Sequence, residues 1–145
     1  MSKPILVIDT NVVLDLLHFD DPAARSLRQA LEDGRVRCMV TDATLDEWRR
    51  VLTYPEFALE AVRQAELFAR YASLSLPVAP IEANTGMPRC SDPDDQKFIE
   101  LAAAAHAQGL VSKDRAVLKL RRRCAPRFRI MTPAEAVRWL DATRA

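Results

Sequence analysis

The stretch that decides the fold occupies residues 5–17, ILVIDTNVVLDLL. Its first four residues form an apolar run that is too short for a helix, and this run predicts a buried strand. Asp9 interrupts the run, and apolar residues then recur at Val12, Leu14 and Leu16, as on one side of a helix. The stretch therefore predicts a strand that leads directly into a helix, with a carboxylate at the junction.

The same alternation continues along the chain. Short apolar runs predict four further strands, at 38–40, 78–81, 110–111 and 128–131. Amphipathic segments predict helices over 22–33, 43–53, 57–74, 94–108, 115–123 and 133–143. Alternating strands and helices are typical of a parallel sheet covered by helices on both faces. We therefore predict a single α/β domain over residues 1–145, with three layers (α/β/α) and a mainly parallel central sheet of about five strands.

Several element boundaries are marked by capping residues. Asp21-Pro22, Asp92-Pro93 and Thr132-Pro133 each place an oxygen acceptor before a proline, which predicts a helix start. Gly34 and Gly109 fall where two predicted helices end, as expected of glycines in helix C-caps. Residues 83–91 are predicted to form a loop.

Composition and charge exclude several classes of protein. The chain has 145 residues, of which 49% are hydrophobic and 28% charged, so it can bury a core of its own. Its net charge of +1 provides no overall attraction to nucleic acid or membrane. Because no apolar run approaches the ~20 residues that span a bilayer, we expect a soluble, cytoplasmic protein without membrane contact. The three cysteines show neither metal-ligand nor disulfide spacing and are expected to be buried thiols.

Four carboxylates fall on the same predicted edge of the sheet. Asp9 and Asp114 follow strands, whereas Glu47 and Asp95 lie in the first turns of helices that follow strands. A single acid at a helix start is explained by the helix dipole, but four acids on one edge repel one another. Such a cluster predicts a bound cation, and oxygen ligands without Cys or His indicate Mg²⁺ or Mn²⁺.

Four segments, in order, resemble the motifs of PIN-domain nucleases. They are VIDTNVVL at 7–14, LDEWRRVL at 45–52, DPDDQKFIELA at 92–102 and LVSKD at 110–114. The third is similar to the branch of the family that supplies toxins of toxin–antitoxin systems, the VapC-like proteins. The resemblance covers the chain to about residue 120 and implies a PIN-like fold.

The resemblance leaves some ligand positions open. Asp92, Asp94 and Asp95 compete for the third-motif role, and Asp95 is preferred because its distance from Phe98 matches the family's metal-binding aspartate. Ala116 stands where relatives often carry a second acid, so the fourth position depends on Asp114 alone.

The resemblance implies a Mg²⁺- or Mn²⁺-dependent endoribonuclease that leaves 5′-phosphate and 3′-hydroxyl ends, and a toxin of a toxin–antitoxin system. It implies one or two metals in the active site. A cognate antitoxin and a second copy of the chain are the protein partners considered. The expected catalytic carboxylates and metal ligands are Asp9, Glu47, Asp95 and Asp114. The residues expected to support them, by orienting ligands or holding water or phosphate, are Thr10, Asn11, Ser112, Asp92 and Asp94.

A basic stretch follows the fourth motif. Residues 113–129 contain eight basic residues against the single acid Asp114. Such a run is either a solvated face or a track for a phosphate backbone. The residues predicted to bind RNA are Lys113, Arg115, Lys119, Arg121, Arg122 and Arg123.

Two other functions compete with the nuclease. A phosphohydrolase with an aspartyl nucleophile after the first strand would place a second Asp where Asn11 stands, which argues against that class. A non-catalytic module would use a structural cation at the acidic edge and bind RNA or a partner protein through the basic stretch. Cleavage of RNA that depends on a divalent ion discriminates between the enzyme and the binding module.

Overall fold

The computed structural model describes residues 3–82 and 86–143. Its strands are β1 Ile5–Ile8, β2 Arg37–Val40, β3 Ser75–Pro77, β4 Gly109–Val111 and β5 Arg129–Met131. Its α-helices are α1 Thr10–Leu17, α2 Arg25–Glu32, α3 Asp42–Leu52, α4 Ala61–Leu74, α5 Gln96–Ala104, α6 Arg115–Leu118, α7 Arg121–Cys124 and α8 Pro133–Thr143. Short 3-10 turns lie at Pro22–Ala24, Pro55–Phe57 and Pro93–Asp95.

The five strands form one parallel sheet in the order β3-β2-β1-β4-β5. The chain builds outward from β1 on one side and then crosses to β4 on the other side. In such sheets ligands bind at the carboxyl ends of the strands where the order reverses, which here lies between β1 and β4. The predicted fold class is therefore confirmed, and the sheet defines one edge where a site is expected.

Alternate residues of β1 face opposite layers. Leu6 and Ile8 belong to one apolar core, which also contains buried side chains of α1 to α4 and α8. Val7 belongs to the second core, which is formed with α5, α6 and α7. Helices thus cover both faces of the sheet, as predicted for the three-layer architecture.

The predicted third strand is placed wrongly. The strand is Ser75–Pro77, and residues 78–81 are outside any strand. Helix α4 runs directly into this strand, and the Ser75 hydroxyl donates to the Tyr71 carbonyl at 2.9 Å where the helix ends. Leu76 is 44% exposed because β3 is an edge strand, so the strand lacks the apolar signature by which the others are recognised.

Two helix predictions also differ from the structure. The helix predicted from residue 57 begins at Ala61, because Ala58 adopts the left-handed conformation at φ 49° and interrupts the segment. The helix predicted over 115–123 is divided into α6 and α7.

Two glycines were predicted to end helices. The prediction is confirmed for Gly34 and is wrong for Gly109. Gly34 follows α2 with φ 72°. Gly109 lies in β4, where it packs against the side chains of Met131 and Leu6, and it ends no helix. Helix α5 ends at Ala104, and His106 takes the positive φ of 53° after it.

The predicted caps and cysteines agree with the structure. Asp21 and Asp92 each accept a backbone N–H two residues ahead, and Thr132 and Glu135 form a reciprocal capping box. All three cysteines are free and buried. Residues 86–91 contain no helix or strand, whereas the first part of the predicted loop, 83–85, lies outside the described residues. None of the helices in 3–82 and 86–143 is long and apolar enough to cross a membrane.

Candidate metal centre at the sheet edge

Three aspartates meet where β1 and β4 end. Asp9 directly follows β1, and its backbone N–H donates to the Val111 carbonyl of β4 at 2.9 Å. Asp114 lies three residues after β4 and begins α6, where its side chain accepts the Ala116 N–H at 2.8 Å. Asp95 ends the short turn that leads into α5. The pairing of β1 with β4 therefore brings together carboxylates that lie far apart in the sequence.

Ser112 holds two of these carboxylate-bearing segments together. Its side chain is fully buried, and its hydroxyl donates to Asp9 Oδ2 at 2.8 Å. The hydroxyl oxygen of Ser112 also accepts a hydrogen bond from the backbone N–H of Asp114 at 3.0 Å. Ser112 thus orients Asp9, and the expectation that it holds water or phosphate stays a prediction.

The tightest group of carboxylates consists of Asp92, Asp95 and Asp114. One oxygen of each lies within 4.8 Å of the other two. Asp95 is 8% exposed, and its Oδ2 is buried without a hydrogen-bond partner among the described residues. Asp92 is therefore more than the helix cap suggested by its sequence context, because it also contributes to this oxygen cluster.

The pKa values of two carboxyls reflect this crowding. Burial, the negative charge of Asp9 and the contact with Asp114 raise the pKa of Asp95 to about 8. Burial also raises the pKa of Asp9, partly offset by the Ser112 hydroxyl, and the charges of Glu47 and Asp114 add to the increase. Repulsion of this kind is relieved by a bound cation.

The chemistry of the cluster fits a hard divalent cation. All candidate ligands are carboxylate oxygens, and no Cys or His belongs to the cluster. Among residues 3–82 and 86–143, one buried oxygen of the cluster has no hydrogen-bond partner. This donor set suits Mg²⁺ or Mn²⁺ and is unlike a zinc site.

Glu47 lies beside Asp9 but differs from the three aspartates in its partners. The Thr10 hydroxyl donates to Glu47 Oε2, and Lys97 Nζ lies 2.6 Å from Glu47 Oε1. Sequence reasoning missed Lys97, although it stands only two residues after Asp95 in the third motif. Glu47 is thus held by a hydroxyl and a cation of the protein itself.

The remaining supporting residues take different positions. Asn11 is exposed, its side chain has no hydrogen bond among the described residues, and its backbone N–H is the group that faces Asp9. Asp94 is exposed, while its carbonyl accepts a hydrogen bond from Lys97. Asp46, beside Glu47 in the sequence, is exposed.

Two residues of the basic stretch are engaged in ion pairs. Lys113 Nζ lies 2.7 Å from Asp15 Oδ2, and Asp15 is only 6% exposed. Arg121 donates from both terminal guanidinium nitrogens, Nη1 and Nη2, to the carboxylate of Glu135. Over the described part of the chain, no ion pair engages the other four residues predicted to bind RNA, which are Arg115, Lys119, Arg122 and Arg123.

The fold and site define a class of three-layer α/β domain that carries a carboxylate cluster at the switch point of a parallel sheet. The sequence pattern of the PIN domain family matches residues 5–116. This match covers most of the chain, and the chain belongs to the PIN domain family, as its motifs indicated.

A solved structure shares the fold. It is the crystal structure of VapBC2 from Rickettsia felis bound to a DNA fragment from their promoter. The similarity has a TM-score of 0.54 at 12% identity and covers 88% of this chain and 98% of the matched chain. No curated protein matches the sequence significantly.

Proposed function

We propose that the protein is a metal-dependent endoribonuclease that hydrolyses phosphodiester bonds of RNA. The observation that carries this proposal is the buried Asp95 Oδ2, which has no hydrogen-bond partner in the part of the chain that the structure describes and lies within a cluster of carboxylates at the switch point of a PIN domain. Clustered acids without a basic partner destabilise a fold unless a cation binds. Proteins of this family are generally nucleases, which gives such a cation a catalytic use.

Asp92, Asp95 and Asp114 would hold the ion, with Asp9 adjoining them. A divalent cation in this place would activate water for attack on phosphorus and stabilise the departing oxygen. Ser112 fixes the direction of Asp9 through its hydroxyl, and thereby keeps one carboxylate aimed at the cluster.

Glu47 has a different part in this proposal. Its two carboxylate oxygens are bound by Thr10 and Lys97. Glu47 therefore adds negative charge near Asp9, but its oxygens are less available to the ion than those of the three clustered aspartates. Its expected contribution is through a water molecule or through Lys97, rather than as the principal ligand.

Exposed cations support RNA as the substrate. Arg115 begins α6, which Asp114 caps. Lys119 lies in the turn after α6, and Arg122 and Arg123 lie on α7. Basic side chains that continue from the carboxylate cluster can carry a phosphate backbone towards it.

A role as the toxin of a toxin–antitoxin pair in the cytoplasm is part of the proposal. The similar Rickettsia structure is a VapBC2 assembly with DNA, and the comparable partner here would be a small antitoxin protein. A protein encoded beside this chain that binds it and suppresses its cleavage of RNA would establish that role.

The deciding experiment compares cleavage of mixed RNA by the purified chain in EDTA, Mg²⁺ and Mn²⁺. Asp95→Asn tests the cluster, and Asp46→Asn is the matched control because it removes an exposed acid from neighbouring α3. We expect metal-dependent cleavage by the parent and the control, and loss in Asp95→Asn. Metal binding without cleavage by the parent would contradict the enzyme and favour the non-catalytic module.

A further inference from the structure

Lys97 places a positive charge at the acidic edge of the sheet. It lies in the first turn of α5, two residues after Asp95. Its side chain is only 27% exposed, and its Nζ lies 2.6 Å from Glu47 Oε1 on the neighbouring helix α3. The ammonium is therefore directed at a carboxylate of the site rather than into solvent.

Two acceptors from different elements fix the position of this ammonium. Besides Glu47 on α3, the backbone carbonyl of Asp94 accepts a hydrogen bond from Lys97 Nζ. Asp94 belongs to the short turn that also carries Asp95. The positive charge is thus tied both to the turn of the carboxylate cluster and to the helix that bears Glu47. Because an ammonium has three N–H donors, these two hydrogen bonds leave one donor for another acceptor.

The carboxylates of the site fall into two groups. Asp92, Asp95 and Asp114 form the cluster described above, and over the described part of the chain none of the three has an ion pair. Glu47 is not a member of that cluster and lies close enough to Asp9 for its charge to raise the pKa of Asp9. Two-metal centres hold their ions about 3.5–4 Å apart. If the cluster holds the first ion, the acids that remain for a second are Asp9 and Glu47.

Cations of the protein already stand at this second position. Lys97 Nζ contacts Glu47 Oε1, and Arg50 Nη2 lies 3.9 Å from the same oxygen. The other oxygen of Glu47 accepts the Thr10 hydroxyl. Positive charges at such distances repel an approaching divalent ion and reduce the negative charge that would attract it. No described basic side chain forms an ion pair with Asp95, so the attraction for a metal ion is strongest at the cluster.

We propose that the Lys97 ammonium takes the place of a second divalent cation, so that the centre binds one metal ion per chain. The inference rests on the proposed function and specifies which group supplies the second positive charge to the phosphodiester. In a two-metal centre the two ions together stabilise charge that develops on the reacting oxygens. A fixed ammonium can stabilise such charge as well. The remaining N–H of Lys97 would donate to a non-bridging phosphate oxygen.

Counting bound Mn²⁺ tests this inference without cleavage. Electron paramagnetic resonance of free Mn²⁺, followed through a titration of the purified chain without RNA, gives the number of ions bound. We expect one ion for the parent and two for Lys97→Met, because Glu47 then keeps only the exposed and more distant Arg50 as a cation. Lys97→Arg retains the charge and should bind one ion. Lys97→Gln replaces Lys97→Met in this test if the latter does not fold.

Two further variants locate the added ion. Lys97→Met/Glu47→Gln should bind one ion again, since the second carboxylate position is then lost. Lys3→Met removes an exposed lysine before the amino end of β1, at the sheet edge opposite to Asp9, and should bind one ion like the parent. Two ions bound by the parent, or only one bound by the neutral variant of Lys97, would overturn the proposal.

The dependence of RNA cleavage on Mg²⁺ concentration tests the role of the ammonium in the reaction. The parental rate should rise with a Hill coefficient of about 1, because one ion is required. At low Mg²⁺, Lys97→Met should be about 10²-fold slower. It should regain activity at high Mg²⁺ with a Hill coefficient of about 2, since a second ion can then bind. A lower rate with an unchanged coefficient would show that Lys97 has only a structural role.

Together the two measurements separate this inference from the nuclease assignment. Metal-dependent cleavage by a parent that binds two Mn²⁺ ions would overturn the role of Lys97 and leave the nuclease function intact. If the parent binds one ion but cleaves no RNA, the nuclease function fails, and the count for Lys97→Met still decides whether the ammonium fills the second position. A parent that binds no Mn²⁺ would contradict both proposals.

Discussion

Asp95 and Glu47 lie at the same edge of the sheet, and both are almost equally buried, at 8% and 9% exposure. Their surroundings are opposite. Glu47 is bound by Thr10 and by the ammonium of Lys97, whereas Asp95 faces other carboxylates and keeps one buried oxygen without a partner among the described residues. The protein supplies its own cation to Glu47 and none of the described basic side chains to Asp95, which is the acid at which we propose that a metal ion binds.

This contrast is informative about function because unneutralised buried acids are costly. A fold selected for stability alone would pair Asp95 or replace it with an apolar residue. Its place beside Asp92 and Asp114 is therefore explained by the proposed cation site, since groups that reduce stability are common at functional sites.

The largest expected effect is the difference in RNA cleavage between a variant of Asp95 and a variant of Glu47. Asp95→Asn should lower RNA cleavage by at least ~10²-fold, because a carboxylate that holds the catalytic ion is lost. Glu47→Gln should lower it less, since Lys97 already neutralises that acid. Initial rates with Mg²⁺, together with circular dichroism to check folding, measure the difference. Near-parental activity in Asp95→Asn would remove this residue from the site.

The next effect concerns the stability of the paired acid. Lys97→Met should lower the free energy of unfolding by about 1–3 kcal/mol, because the buried Glu47 then keeps only the more distant Arg50, at 3.9 Å, as a cation. Adding Glu47→Gln should restore much of this loss, since the uncompensated charge is then absent. Urea unfolding of the single and double variants in EDTA measures the coupling. Strict additivity of the two substitutions would show that the ion pair has no energetic role.

Much of the fold was predictable, because short apolar runs that mark strands alternate along the sequence with amphipathic segments that mark helices. The exceptions have physical reasons. Leu76 lies on an edge strand and is exposed, so β3 lacked the pattern of a buried strand. Gly109 lies within β4 against the Met131 side chain rather than at a helix end. Neither property is visible before the strands are assembled.

The edge of the sheet at which the carboxylates lie was predictable, because the carboxyl ends of parallel strands meet at a common edge. The ion pairs at this edge were not predictable from the sequence. Lys97 and Glu47 are 50 residues apart, and only the packing of α5 near α3 brings them into contact. The pairing of Lys113 with Asp15 likewise depends on tertiary structure, and it reduces the positive charge that the sequence indicated.

A third effect is the dependence of stability on pH. The pKa of Asp95 is raised in the folded chain to about 8, above its ordinary unfolded value of about 3.9. Between these values the folded chain binds more protons than the unfolded chain, so stability falls as pH rises and the loss is complete above the folded pKa. In EDTA the Tm should therefore rise by a few degrees between pH 8.5 and pH 5.5.

Asp95→Asn provides the control for this pH effect. Its Tm in EDTA should exceed that of the parent at pH 8.5 and change less with pH, and Asp9→Asn should behave similarly because that acid contributes to the repulsion. Mg²⁺ or Mn²⁺ should raise the parental Tm more than that of either variant, by binding the native state. Scanning fluorimetry measures all these shifts. If metal shifts no Tm and both variants melt below the parent, the acids are structural caps.

The smallest expected effect extends the comparison of paired and unpaired charges to the basic stretch. Arg122 and Arg123 are exposed, and neither has an ion pair among the described residues, whereas Arg121 is bound to Glu135. Each phosphate contact that is lost should reduce the slope of log K against log salt by about 0.7 for single-stranded RNA. The double variant Arg122→Ala/Arg123→Ala should therefore flatten the slope by about 1 to 1.5.

Arg121→Ala should change this slope little and instead lower stability, because Glu135 would lose a bidentate partner beside the start of α8. Two arginines of α4 that pair with Glu66 and Glu32, replaced as Arg63→Ala/Arg70→Ala, control for the general loss of positive charge. Binding to a single-stranded RNA at several salt concentrations, measured by fluorescence anisotropy, gives the three slopes. An equal slope for the α7 and α4 double variants would identify the basic stretch as a solvated face. A flatter slope only for the α7 variant would show that the cations near Asp114 contact the RNA backbone, because counterion release reports phosphate contacts and does not depend on cleavage.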